Sequence, residues 1–247
     1  MTPAYKILAV TRRERINRDY HVIGLREPEL AAKCQPGMFF ELKAGTAGQD
    51  RKLFKPVSVY GAAEAEISFL IKVVGSGTKA LSELAIGDPV KLTGPLGNGF
   101  PMIRDSNVLL VSGGVGYPPL AYLREALSSG NRITFLHGGA CADDVFPCDR
   151  VYTLDGSCGQ KGLVTRDVKD LIIEAKIDIV YSCGPIPMLK ALAEIVAPLP
   201  HHVSMEAYMA CGVGVCHGCA VPVGDAYLRV CADGPIFNAA EVCWGEL

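Results

Sequence analysis

The sequence predicts an α+β multidomain chain: an antiparallel β-barrel over residues 1–102, a parallel α/β domain over 103–203, and a small C-terminal subdomain over 204–247. Three observations carry this. Up to Pro101 the chain runs in short alternating apolar and polar segments broken by Gly and Pro, whereas after Asp105 apolar strands alternate with helical stretches. From about Ser204 onward, glycines and cysteines crowd a segment too short to bury a core of its own.

In the first region YKILAV, HVIGL, MFFELKA, VSVYGA, EISFLIKVV and DPVKLTG read as strands, and short strands at this spacing build a small antiparallel barrel or sandwich. The stretch Thr78 to Leu84 follows the Gly75-Ser76-Gly77 turn and has helical composition, so a short helix is inserted there. In the second region the strands are NVLLVSGG, RITFLHGGA, RVYTLDGS and IDIVYSCGP. The helical stretches PPLAYLREALSS, VTRDVKDLIIEAK and PMLKALAEIV alternate with them, which is the pattern of a parallel sheet with crossover helices.

Composition narrows the function classes. Of 247 residues, 49% are hydrophobic and 20% charged, with net charge -2, as in a soluble globular protein without disordered blocks. No basic surplus suggests nucleic acid, and no apolar run reaches the length of about 18 residues needed to cross a bilayer. The N-terminus MTPAYKILAVTRRERI has charges where a signal peptide needs an apolar centre, so a cytoplasmic location is expected. Of ten cysteines, Cys34, Cys141, Cys148, Cys158, Cys183 and Cys243 are scattered without a disulfide framework and read as reduced thiols.

The other four, Cys211, Cys216, Cys219 and Cys231, stand as C-x4-C-x2-C-x11-C, the spacing with which a plant-type 2Fe-2S cluster collects thiolates. Between them Gly212, Gly214 and Gly218 let the backbone wrap a compact group through positive φ, and amides of such a loop can hydrogen-bond the sulfurs. Zinc is the competing ligand, but structural zinc sites favour short cysteine pairs at both ends, and here the fourth cysteine comes alone. His217, between two of the cysteines, is read as a loop side chain that does not ligate.

Small-residue turns follow three apolar strands. Gly113-Gly114-Val115-Gly116 runs into a helix, where backbone meets a pyrophosphate in dinucleotide folds, although Gly114-x-Gly116-x-x-Pro119 departs from the usual fingerprint in its last place. Asp155-Gly156-Ser157 and Cys183-Gly184 end two further strands, offering a carboxylate to a ribose and a small-residue approach to a ring. A tight turn of any α/β sheet, or a packed strand-end cysteine, would look the same singly. In the barrel, Lys55-Pro56-Val57-Ser58 ends a basic stretch with Arg51 and Lys52, and Gly77-Thr78 opens the short helix. A cation, a hydroxyl and helix-start amides are what a flavin dinucleotide's pyrophosphate requires.

With these pieces in order, the chain resembles the electron transfer subunits of class 1B dihydroorotate dehydrogenases, a branch of the ferredoxin-NADP reductase family. The likeness spans nearly the whole chain. It rests on Gln35-Pro36-Gly37, Lys55 to Ser58, Gly77-Thr78, Gly94 to Phe100, Gly113 to Gly116, Asp155 to Ser157 with Lys161-Gly162, Cys183-Gly184, and the tail from Met209-Ala210-Cys211-Gly212 to Gly234-Pro235. The resemblance implies FAD in the barrel, held by Lys55, Pro56, Val57, Ser58, Leu70, Ile71, Lys72, Gly77 and Thr78. It implies NAD at Gly114, Gly116, Asp155, Cys183 and Gly184, and a 2Fe-2S cluster on Cys211, Cys216, Cys219 and Cys231. It also implies a partner: an FMN-containing catalytic subunit in a hetero-oligomer, since no segment long enough for a (β/α)8 barrel remains for the pyrimidine chemistry. No side chain is expected to act as a catalytic acid or base. The family pattern begins its flavin motif with Arg, and Lys55 replaces a bidentate fork by a point charge. Two alternatives stay open: an FAD/2Fe-2S subunit serving a hydrogenase or a sulfur or ferredoxin reductase, and a non-catalytic zinc or redox regulatory module.

Overall fold

The computed structural model describes residues 3–45 and 53–247. The barrel strands are β1 (Ala4–Arg15), β2 (Tyr20–Arg26), β3 (Phe39–Ala44), β4 (Lys55–Ser58), β5 (Gly61–Ala63), β6 (Glu66–Lys72) and β7 (Pro89–Leu96). They form one antiparallel sheet in the order β4-β3-β7-β1-β2-β6-β5. The segment read as one strand, VSVYGA, is two. β4 pairs with β3 on one edge and β5 with β6 on the other, so this stretch carries the chain from edge to edge and curls the sheet into a barrel. Closure is by packing: Phe40 of β3 meets Phe69 of β6 edge-on at 5.5 Å. Ile23, Leu25, Leu42, Ile67, Ile71 and Leu92 fill the interior around them.

Helix α1 (Pro28–Ala31) is a single turn, and α2 (Ser76–Ser82) is the inserted helix, starting two residues before the sequence reading. The reason is Thr78, whose hydroxyl oxygen accepts the amides of Val74 at 3.0 Å and Gly75 at 3.2 Å and so draws Ser76 into the first turn.

The second sheet comprises β8 (Asn107–Gly113), β9 (Arg132–Gly139), β10 (Arg150–Thr153), β11 (Gln160–Lys161), β12 (Ile179–Cys183) and β13 (His201–Ser204). Helices α3 (Tyr117–Leu127), α4 (Val168–Glu174) and α5 (Ile186–Val196) cover it. Both faces are buried, which is why the strands read as unbroken apolar runs. Val108, Leu110, Phe135 and Tyr181 face α3, while Leu109, Val111, Leu136 and Val180 face α4 and α5. The α3 face is shared with Tyr20, Val22 and Leu70 of the barrel, so one core joins the two domains.

The tail supplies a hairpin, β14 (Ala220–Val223) and β15 (Ala226–Arg229), and a last strand, β16 (Ile236–Asn238). β16 pairs antiparallel with β13, so the second sheet runs β11-β10-β9-β8-β12-β13-β16 and part of the tail belongs to it. The tail's apolar side chains pack on Phe39 and Leu96 of the barrel and on Leu189 and Val203 of the α/β domain. No helix among the described residues is long and apolar enough to cross a membrane.

Candidate functional site

A cleft of about 680 Å³ opens between the barrel and the segment that follows β13. Strand β4 brings Lys55, Pro56, Val57 and Ser58 into its wall, β6 brings Leu70, Ile71 and Lys72, and Thr78 lines it from the first turn of α2. Gly77 lies beneath the Lys55 stem, where any Cβ would collide with Lys55 Cε. Arg51 and Lys52 lie outside the described residues. A cation, a helix start and an apolar slot in one cleft fit a flavin dinucleotide. Thr78, however, spends its hydroxyl on Val74 and Gly75.

The opposite wall was not foreseen from sequence. It is Ser204 to Met209, the stretch between β13 and the first cysteine of the array, with Tyr208 fully exposed. Because Ser204 pairs with Cys183 in the sheet, Glu206 is placed close enough for its charge to add to burial in raising the Cys183 thiol.

The strand-end turns come together in part. Gly116 packs directly on the Cys183 carbonyl, and a Cβ on Gly184 would lie 3.0 Å from the Gly113 nitrogen, so neither glycine tolerates a side chain. Gly114, with φ +52°, has open space in front of it. Pro118 and Pro119 open α3 without N–H groups and the Tyr117 amide bonds back to the Gly114 carbonyl, so the amides of Gly114 to Gly116 are what this turn can offer an anion. Asp155 follows β10, with β9 intervening between it and the glycine turn. Its Oδ1 accepts the Ser157 amide at 2.9 Å and hydroxyl at 2.6 Å.

In the tail, the long gap before Cys231 is the hairpin β14–β15, which carries the chain out and back so that Cys231 returns beside Cys219. Gly212 and Gly214 have φ of +65° and +80°. The Gly214 amide donates to Cys231 Sγ at 3.1 Å, the Cys216 amide to Cys211 Sγ at 3.4 Å and the Gly218 amide to Cys216 Sγ at 3.5 Å. Against the effect of its burial, such backbone bonds bring the Cys211 thiol down to about 6. Burial and the neighbouring Cys219 push Cys231 up to about 12. Amides aimed at sulfurs suit an iron–sulfur cluster. Among the described residues, no three His, Cys, Asp or Glu side chains are already drawn together as ligands of a single metal ion, so the fit lies in this backbone environment. His217 is exposed with φ +58°.

Two further features hold the loop. Arg229 grips Asp233 with Nε and Nη2 at 2.8 and 2.9 Å and donates through Nη1 to the Gly214 carbonyl at 2.8 Å. This grip holds the Asp233 carboxyl down at about 2. The signal was the four-residue spacing of Arg229 and Asp233. The second is Glu41 on β3, 3% exposed, with neither carboxyl oxygen hydrogen-bonded among the described residues. It lies under Gly212, where a Cβ would come within 2.6 Å of its Cγ. Burial, moderated by Lys55 and reinforced by Cys211, raises Glu41 to about 7. Its signal was a lone acid in the apolar run MFFELKA. Because an unpaired buried carboxylate costs about 1–3 kcal/mol, Glu41→Leu is expected to raise stability at pH 8 by that amount, read from urea unfolding.

Two family models match the chain: an oxidoreductase FAD-binding domain over residues 8–100 and the iron-sulfur cluster binding domain of dihydroorotate dehydrogenase B over 206–243. The dihydroorotate dehydrogenase B (NAD(+)) electron transfer subunit of Caldanaerobacter subterraneus subsp. tengcongensis is 41% identical over 225 residues, covering 85% of this chain and 87% of that one. The chain belongs to the family of dihydroorotate dehydrogenase B electron transfer subunits. The corresponding subunit of Shouchella clausii is 35% identical, covering 95% of this chain and 96% of that one. Among solved structures, a chain of the NADH-dependent reduced ferredoxin-NADP oxidoreductase superposes with TM-score 0.85 at 31% identity, over 97% of this chain and 91% of that one. A ferredoxin reductase of carbazole 1,9a-dioxygenase, 20% identical with TM-score 0.67 over 82% of this chain and 69% of that one, shares the fold. The chain is thus a flavin and iron–sulfur oxidoreductase subunit built on the ferredoxin-NADP reductase plan.

Proposed function

We propose that this chain passes electrons between an FMN-containing subunit that oxidises dihydroorotate and NAD, as the cytoplasmic electron transfer subunit of a hetero-oligomer in pyrimidine biosynthesis. The observation that carries this is the cleft itself. One wall is the Lys55–Ser58 strand, and the other ends at Met209, two residues before Cys211, so the candidate flavin and cluster sites adjoin along the chain.

FAD, when bound, supplies the conversion between the single electrons of a 2Fe-2S cluster and the hydride of NAD. The side chains serve placement. Lys55 and the first turn of α2 offer positive charge and amides to the flavin's pyrophosphate, with Leu70, Ile71 and Val57 forming an apolar slot. Gly114 leaves NAD an open approach to the sheet, Gly116 and Gly184 let the glycine turn and the Cys183 strand end pack closely beside it, and Asp155 would accept from its ribose. Cys211, Cys216, Cys219 and Cys231 hold the cluster, and Arg229 with Asp233 fixes the loop around it.

The test mixes the flavin- and cluster-loaded chain with a dihydroorotate-oxidising FMN subunit and follows dihydroorotate-dependent NAD reduction. Stimulation well above the FMN subunit alone is expected. Absence of stimulation, with flavin and cluster both present, would favour the second reading that the likeness to the NADH-dependent reduced ferredoxin-NADP oxidoreductase supports: the same relay serving another redox partner.

A further inference from the structure

Lys72 does more than line the flavin cleft. Its ammonium lies 2.6 Å from Asp144 Oδ1, and Asp144 belongs to the α/β domain, in the turn Ala142–Asp144 after β9. The same carboxylate oxygen accepts the Tyr20 hydroxyl at 3.0 Å, and the Lys72 ammonium stands 5.1 Å from the centre of the Tyr20 ring. Both partners of Asp144 are therefore barrel residues, from β2 and β6. The Lys72 and Asp144 side chains keep 27% and 16% of their exposure, so the pair is shielded from water and is worth more than a surface ion pair.

Asp144 is itself held in place. Asn17 of the barrel donates to the Asp143 carbonyl at 2.8 Å. Buried His137 has Nε2 3.0 Å from the Asp144 carbonyl, which can only accept, so Nε2 carries the proton and Nδ1 accepts from Ser112 Oγ at 2.7 Å. Phe146, two residues on, packs edge-on against the Tyr20 ring at 4.9 Å. The Asp144 carboxylate is thus anchored from the strand end that begins the glycine turn and presented to a lysine in the wall of the flavin cleft.

We infer that Asp144 is a positioning residue for the flavin: from the α/β domain it fixes the Lys72 ammonium in the cleft wall and offsets its charge, so the flavin site is complete only with the two domains docked. This rests on the flavin reading above. A cation beside a flavin favours the reduced, more negative form, and a carboxylate paired with that cation weakens the effect. Removing the carboxylate charge alone and removing the ammonium alone must therefore move the flavin potential in opposite directions.

The experiment compares the loaded wild-type chain with Asp144→Asn, Lys72→Met and the double variant. The readouts are the flavin midpoint potential from spectroelectrochemical titration and the thermal midpoint of the same samples. Asp144→Asn is expected to shift the potential upward, Lys72→Met downward, and the double variant back toward wild type. A purely structural pair would lower the thermal midpoint and leave all the potentials together, and that result overturns the inference. Should Asp144→Asn not fold, Lys72→Met against Lys72→Arg decides in its place: a downward shift with Met and none with Arg supports the role, while equal potentials end it. A wild-type chain that bound no flavin would defeat the functional reading first, and this inference with it.

Discussion

Cys216→Ser is expected to abolish dihydroorotate-linked NAD reduction in the assembled complex, to the level of the catalytic subunit alone, while NADH-driven reduction of a small acceptor such as ferricyanide survives. The two activities separate because of where the cysteine lies. Cys216 is exposed and its Sγ accepts the Gly218 amide at 3.5 Å, so serine disturbs little packing but removes one proposed thiolate. The flavin cleft and the Gly114–Gly116 turn lie in other elements and keep their shape. The same change at Cys219 should cost more. Cys219 and Cys231 are buried in the core that joins the tail to Phe39, Leu96 and Val203, and a cluster anchored there contributes to folding as well as to electron flow. Visible circular dichroism reports cluster loss and thermal unfolding reports the core. Undiminished coupled turnover in Cys216→Ser would remove Cys216 from the ligand set.

The α/β domain is expected to lose stability steeply in mild acid. Burial holds His137 and His201 down from 6.5 to about 4, His201 further lowered by neighbouring His202. Nδ1 of His201 has no hydrogen-bond partner among the described residues, and its Nε2 lies 2.8 Å from Ser182 Oγ, so the ring is sealed into the core as the neutral form. The sign follows from the lowered folded values. Below pH 6.5 the unfolded chain takes up the proton first, so stability present above 6.5 is lost progressively as pH falls through about 4. A fall from 6.5 to about 4 corresponds to about 3 kcal/mol for each histidine. His201→Gln should remove about half of this acid dependence, seen as a flatter urea midpoint between pH 6.5 and 4. An unchanged slope would mean that these rings are not the groups that titrate. Glu41 works the other way. Its value raised to about 7 means that the stability it contributes is fully present below about 4.5 and disappears as pH rises through 7.

The chain's local chemistry was readable where it repeats at short range. Period-two alternation identified the barrel strands, continuous apolar runs identified β8, β9 and β12, and one cysteine spacing pointed to the cluster. Reading VSVYGA as one strand failed because a single alternating run cannot show that its two halves pair with opposite edges of the sheet. β13 and β16 were overlooked because each is only three or four residues long and gains its place from its neighbours in the sheet, β13 from β12 and β16 from β13. Ser204 to Met209, the second wall of the cleft, has no motif. It becomes functional only because β13 directs it across from the barrel.

By itself the sequence determined the alternation of most strands and helices, the order of the three regions and the identity of the sulfur, glycine and lysine groups available for cofactors, since these depend on residue type and spacing of a few positions. Only the tertiary structure decided that Lys72 of one domain answers to Asp144 of the other, 72 positions away. Only it brought Glu41 under Gly212 and set Cys183 against Gly116. Such pairings depend on how separate elements pack, and shape and burial choose among many polar partners that the chain order leaves equally available.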